Sequence, residues 1–209
     1  MAVSIADIQK IRKMTGAGLA DCKKALTDAE GDFDKAVQII REKGQAIAAK
    51  RSDRETSNGC VLVKADNGFS AMIALKCETD FVANGKDFIA LTQSILDAAV
   101  AAKAKTLDEV KALPLNGSTV QDEVIARSGI TGEKTELDGY LYLEGDNVSV
   151  YDHMNKHLLC TMVQTNKPAE EQAHAVAMQV AAMNPVALDE ASVPQEVKDT
   201  ELTVAIEKK

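Results

Sequence analysis

The sequence predicts an α+β protein: an N-terminal three-helix unit, then a core of two related antiparallel β-meander-plus-helix halves. Three observations carry this. Residues 4–44 repeat apolar side chains at helical spacing, broken by Gly16, Gly18 and Gly31. Residues 60–77 read as two strands around Asp66-Asn67-Gly68, residues that tolerate the positive φ of a tight hairpin. A second set of strands is predicted over 137–163, and each β block runs into a helical segment, 86–103 and 170–183. A diverged duplication accounts for this, although hairpin-plus-helix units also arise without one.

The elements follow in order. Ser4 with Asp7 predicts an N-cap, and Ile5, Ile8 and Ile11 continue it at helical spacing. After the Gly16–Gly18 break, Leu19, Cys22, Ala25 and Leu26 form a second stripe. Asp32 caps a third helix with Phe33, Ala36, Val37 and Ile40 on one face, and Gly44 is expected to stop it. Residues 45–58 read as a polar, solvated connector or frayed helix; Asp53 and Glu55 interrupt the positive charge of Lys50, Arg51 and Arg54. The strands are Cys60–Ala65 and Phe69–Cys77, followed by a turn at Thr79-Asp80-Phe81. The helix near 86–103 carries Phe88, Leu91, Ile95, Leu96 and Ala99 inward. Thr106 with Glu109 and Thr119 with Asp122 start two short helices. Leu137–Leu143, Val148–Asp152 and His157–Val163 are read as a β-meander. The helix over 170–183 points Ala173, Val176, Ala177, Val180 and Ala181 inward and ends at Asn184-Pro185. Ser192, Pro194 and Gln195 begin a last helix, expected to run into Glu207-Lys208-Lys209 without a stop signal.

Composition narrows the function. The 209 residues are 45% apolar, enough for a real core in one domain or two. Against 32 acidic residues stand 24 basic ones, a net charge of −8, which argues against direct phosphate-backbone binding. No apolar run approaches a membrane span, and Met1-Ala2-Val3-Ser4-Ile5 lacks the features of a signal peptide, so a cytoplasmic protein is expected. Cys22, Cys60, Cys77 and Cys160 form no CxxC and show no zinc spacing with His153, His157 and His174; they read as buried free thiols, with Cys22 and Cys60 as a redox pair the weaker alternative.

Two motifs stand out: Lys13-Met14-Thr15-Gly16-Ala17-Gly18-Leu19-Ala20-Asp21-Cys22-Lys23-Lys24-Ala25-Leu26, and Thr79-Asp80-Phe81-Val82-Ala83. With Ala177–Pro185 and Val193–Val197, in order and at matching spacing, they resemble the translation elongation factor Ts family, the nucleotide-exchange factors for elongation factor Tu. The resemblance covers almost the whole chain. It implies a ubiquitin-associated-like domain over 1–44, a linker over 45–58 and a first core half over 59–135. An incomplete second half over 136–191 and the start of a helical hairpin over 192–209 would follow. Longer members return from that hairpin to finish the second half. This sequence contains no such segment, so the expectation is a long form lacking its C-terminal part, with oligomerisation through the core left open.

The resemblance also implies a site. Asp80, Phe81, Val82 and Ala83 match the segment associated with dislodging Mg²⁺ from the partner, with Phe81 as an apolar wedge. Arg12, Met14, Leu19 and Ala20 surround the glycine turn and would grip a helix of the partner; the family often has Met at the last two positions, and Ala20 offers less contact area. His153 matches a second contact in the other core half. From the residues alone, Thr79 or Asp80 simply caps the next helix and Phe81 packs beneath it. Likewise the glycine turn merely joins two helices, and His153 is a solvated turn residue. Thr-Gly-Ala-Gly is not a phosphate loop, because it lacks the Gly-Lys-Ser/Thr ending.

Three functions compete: an exchange factor that is not an enzyme and needs no cofactor, a protein-binding adaptor of the ubiquitin-associated type, and a small hydrolase using Asp80, His153 and Cys77. The partner implied is a protein, elongation factor Tu, with no direct nucleic acid, no membrane and no small-molecule substrate of the chain's own.

Overall fold

The computed structural model describes residues 3–208. Met1, Ala2 and Lys209 lie outside the described residues, and with Lys209 the final residue of the last expected helix.

Helices α1 (Ile5–Thr15), α2 (Leu19–Asp28) and α3 (Phe33–Lys50) form the N-terminal unit. Ser4 and Asp7 close a complete capping box on α1, so Asp serves where Glu or Gln is usual. The three helices enclose their own small core of Ile11, Cys22, Ala25, Leu26 and Ala36. Ile5 and Leu19, expected on the inner stripes, are instead 76% and 51% exposed. The helix expected to stop at Gly44 runs on to Lys50. Gly44 is buried because it faces Gly129 on α7 (Val120–Thr131): a Cβ on Gly129 would lie 2.5 Å from the Gly44 Cα. A residue that weakens an isolated helix is tolerated here because it lets two helix backbones meet.

The connector is helical at its start and mostly exposed, with two fixed points. Residues 45–50 are helical, Arg51 bonds Glu78, and Thr56 is buried with its hydroxyl on Glu136. These contacts fasten the N-terminal unit to the core.

Strands β1 (Asn58–Asp66) and β2 (Phe69–Cys77) form the expected hairpin, turning through Asn67 at φ 48° and Gly68 at φ 73°. Helix α4 (Asp80–Ala83) is one turn, and α5 (Lys86–Ala102) covers the sheet. Phe69, Ala71, Ile73, Leu75 and Cys77 alternate inward from β2 onto Phe88, Leu91, Ile95, Leu96 and Ala99 of α5. Thr106 caps α6 (Leu107–Ala112) and Thr119 caps α7, as their spacing predicts. Between them lies a small hairpin, β3 (Pro114–Leu115) and β4 (Ser118–Thr119), without a sequence forecast.

The strand pairing departs from a second meander. Strand β5 (Thr135–Glu144) pairs antiparallel with β2, giving the order β1-β2-β5. Strands β6 (Val148–Asp152) and β7 (Cys160–Gln164) pair with each other. Alternation identifies β5 as a strand but cannot name its neighbour, and β2 offers an open edge with matching apolar residues. The α+β class with an N-terminal helical region holds. Helix α8 (Glu170–Met183) packs on β6 and β7 through Ala173 and Ala177, while Val176, expected inside, is 48% exposed. Helix α9 (Gln195–Glu207) buries no residue. No described helix is long and apolar enough to cross a membrane.

A candidate protein-docking face

The sheet delivers Cys77 into the core and turns the chain outward immediately after it. Thr79 caps α4, its hydroxyl accepting from the Val82 N–H at 3.4 Å. The single turn divides its four side chains. Ala83 is 4% exposed and Val82 packs against the core, whereas Phe81 is 87% exposed. Capping is therefore real, but Phe81 does not pack beneath the following helix. The Asp80 carboxylate makes no hydrogen bond or ion pair among the described residues.

The glycine turn reaches the same side of the molecule. Gly16 ends α1 in the left-handed conformation, and a Cβ there would lie 3.4 Å from the Ile130 Cδ1 on α7. Arg12, Met14, Leu19 and Ala20 are all exposed around it. Between this turn and the core runs a cleft of about 660 Å³, with Arg12, Met14, Asp87 and Arg127 among its walls. A hollow of about 280 Å³ beside Phe81 shares Asp87 and Arg127 with it. Two motifs some sixty residues apart thus meet along one continuous face, with α7 as its floor.

The sequence model of the family described as Elongation factor TS matches residues 78–209. Proteins named Elongation factor Ts from Bacteroides fragilis, Parabacteroides distasonis and Porphyromonas gingivalis are 68%, 65% and 51% identical to it, each over 100% of this chain. The chain belongs to the elongation factor Ts family. It spans 63% of the length of the first two relatives and 76% of the third.

The remaining candidate residues lie away from this face. His153 lies on the exposed loop between β6 and β7, 3.1 Å from the Tyr151 hydroxyl, and lines neither the cleft nor the hollow. The other two histidines gather nearby: His174 packs edge-on to Tyr151, and His157 bonds Asp152 at 2.5 Å. A groove of about 990 Å³ between β6 and α8 is larger than the cleft but touches none of the expected site residues.

All four thiols are buried and free. Cys22 sits in the helical core and Cys60 in the sheet core, which removes the redox pair. Burial pushes Cys60 and Cys77 up to about 11 and Cys160 up to about 12. Cys77, with no exposed surface and its Sγ on the Thr79 carbonyl, is out of reach as a nucleophile for the hydrolase reading.

Sequence reasoning missed the groups that hold the α4 turn. Glu78 accepts from the Lys134 N–H at 2.7 Å and the Arg51 guanidinium at 2.8 Å, which keep its carboxyl below the usual range. Burial pushes the Glu136 carboxyl up, but bonds from Thr56 and Lys134 outweigh it and hold it low. A lowered folded value adds stability above the unfolded value of about 4.3, and that stability is lost as pH falls through the folded one. Acidification from pH 6 to about 3 is therefore expected to loosen residues 51–56, 78–84 and 133–136 before the α5 core. NMR titration of the Lys134 amide checks this; a midpoint above about 4.5 contradicts it.

Proposed function

We propose that this chain acts in translation elongation as a guanine-nucleotide exchange factor: it binds elongation factor Tu carrying GDP and promotes GDP release. The observation that carries the reading is Phe81, exposed on an anchored turn of a chain that is only 3% aromatic. Singly exposed apolar residues are common on protein surfaces; Phe81 counts because it stands over a hollow that adjoins the cleft walled by Arg12 and Met14.

The chain need not touch the nucleotide. It must bind the empty partner better than the loaded one, and linkage then weakens nucleotide binding by the same factor. Phe81 enters between elements of the partner's nucleotide-binding domain and shifts groups that coordinate Mg²⁺. Asp80, whose carboxylate is unpaired among the described residues, adds negative charge near the metal, while Val82 and Ala83 form the root of the wedge. Arg12, Met14, Leu19 and Ala20 grip a helix of the same domain, and His153 makes a separate contact. No covalent step is assigned to the chain, and its net charge of −8 speaks against direct nucleic-acid binding.

The test follows release of fluorescent GDP from elongation factor Tu with and without this 209-residue chain. Accelerated release at substoichiometric amounts is expected. Binding without acceleration supports an adaptor instead, and GTP hydrolysis by the chain alone overturns the reading.

A further inference from the structure

A wedge is useful only if its direction is set before the partner arrives; ordering it on contact would consume binding energy. Helix α4 has four residues, too few to be stable alone. Its inner end is fixed by Ala83 in the core. Val82 also packs on the core, but at the outer end Thr79, Asp80 and Phe81 are all exposed.

That end is held by a carboxylate. Glu133 accepts the Thr79 N–H at 3.0 Å through one oxygen and the Thr79 hydroxyl at 2.6 Å through the other. A hydroxyl committed as donor to Glu133 turns its lone pairs toward the Val82 N–H, the bond that caps α4. One residue earlier, Glu78 accepts the Lys134 N–H, so residues 78–79 are cross-bonded to 133–134. Glu133 is itself placed just beyond the end of α7, where its N–H donates to the Thr131 hydroxyl at 3.2 Å. The same helix meets α3 at Gly129. The base of the α4 turn and the N-terminal unit are therefore both registered on α7.

We infer that Glu133 is a positioning residue: acting through Thr79, it fixes the direction in which Phe81 points. The functional consequence rests on the exchange reading above, but the positioning itself can be measured on the free chain. In Glu133→Ala, backbone order parameters over 79–81 are expected to fall from about 0.85 to below about 0.6, with α5 unchanged. Glu133→Gln keeps an acceptor for the Thr79 N–H and reverses the sense of the second bond, so it should retain most of the order. Thr79→Val removes the same hydroxyl contact from the other side and should loosen the turn as well, which covers poor folding of the alanine variant.

In GDP release from elongation factor Tu, Glu133→Ala should lower the maximal rate about tenfold, with the half-saturating concentration within about twofold of the parent. Glu133→Gln should recover most of that rate. A turn that stays ordered in both Glu133→Ala and Thr79→Val overturns the inference whatever the exchange assay gives. So does a loosened turn with normal release. If the parent chain itself fails to accelerate release, the exchange reading falls, and the order parameters alone decide the positioning role.

Discussion

Phe81→Ala is expected to slow nucleotide exchange about thirtyfold or more while moving the thermal midpoint by no more than about 2 °C. The two numbers come from opposite sides of the same exposure. Truncating an aromatic anchor at the centre of an interface costs about 2 kcal/mol or more of binding, and 1.4 kcal/mol is about a factor of ten. Truncating an 87% exposed side chain changes folding stability by about 0.5 kcal/mol at most. A core phenylalanine would lose about 3–5 kcal/mol, a fall of roughly 6–20 °C in a chain of this size. Melting and fluorescent-GDP release measured on one preparation separate these cases. A collapsed midpoint would place Phe81 in the core, and unchanged exchange would remove it from the mechanism. Asp80→Ala should show the smaller exchange defect, because its charge assists the wedge rather than forming it.

The second large effect is expected from one methyl group at Gly129. A Cβ there would stand 2.5 Å from the Gly44 Cα and 3.2 Å from its nitrogen, so the backbones of α3 and α7 must part. Overpacking of this kind costs about 1–3 kcal/mol, more than the roughly 1 kcal/mol that alanine gains in a helix. The reciprocal change is different. A Cβ on Gly44 meets Ala126 Cα and Ile125 O at 3.4 Å, close to ordinary contact. Gly129→Ala should therefore lower the thermal midpoint by several degrees, and Gly44→Ala should leave it unchanged or raise it. Exchange should fall with Gly129→Ala, because the turn carrying Arg12 and Met14 shifts relative to Phe81. Equal effects of the two substitutions would mean that the crossing is less close than the geometry describes.

Much of the fold could be read from local rules. The Asn67-Gly68 turn, the caps at Ser4, Thr106 and Thr119, and the inner face of α5 each depend on residues within a few positions of one another. What escaped depended on distant partners. Gly44 resembles a helix stop until Gly129, on a different helix, is seen against it. Strand β5 alternates like its neighbours, but nothing in its alternation says that it joins β2 rather than β6. The candidate site shows the same division. Phe81 was identifiable from its motif, yet one helical turn is too short for periodicity to say whether it faces in or out. Glu133 was invisible, since an acidic residue after a helix has no signature of the threonine it holds 54 positions away.

The partnership of β2 with β5 also sets an order of events during the chain's own synthesis. The β1–β2 hairpin is complete once Cys77 has been made, but the strand that closes the other side of β2 begins at Thr135. At about 5–20 residues per second, the roughly 60 residues between them take about 3–12 s to translate. During that interval helix α5 can cover the apolar face of the hairpin, yet the outer N–H and C=O groups of β2 have no strand to pair with. Such an open edge is a template for strands of other nascent chains. How long it stays open is governed by the pace of translation across residues 78–134, not by the stability of the finished sheet.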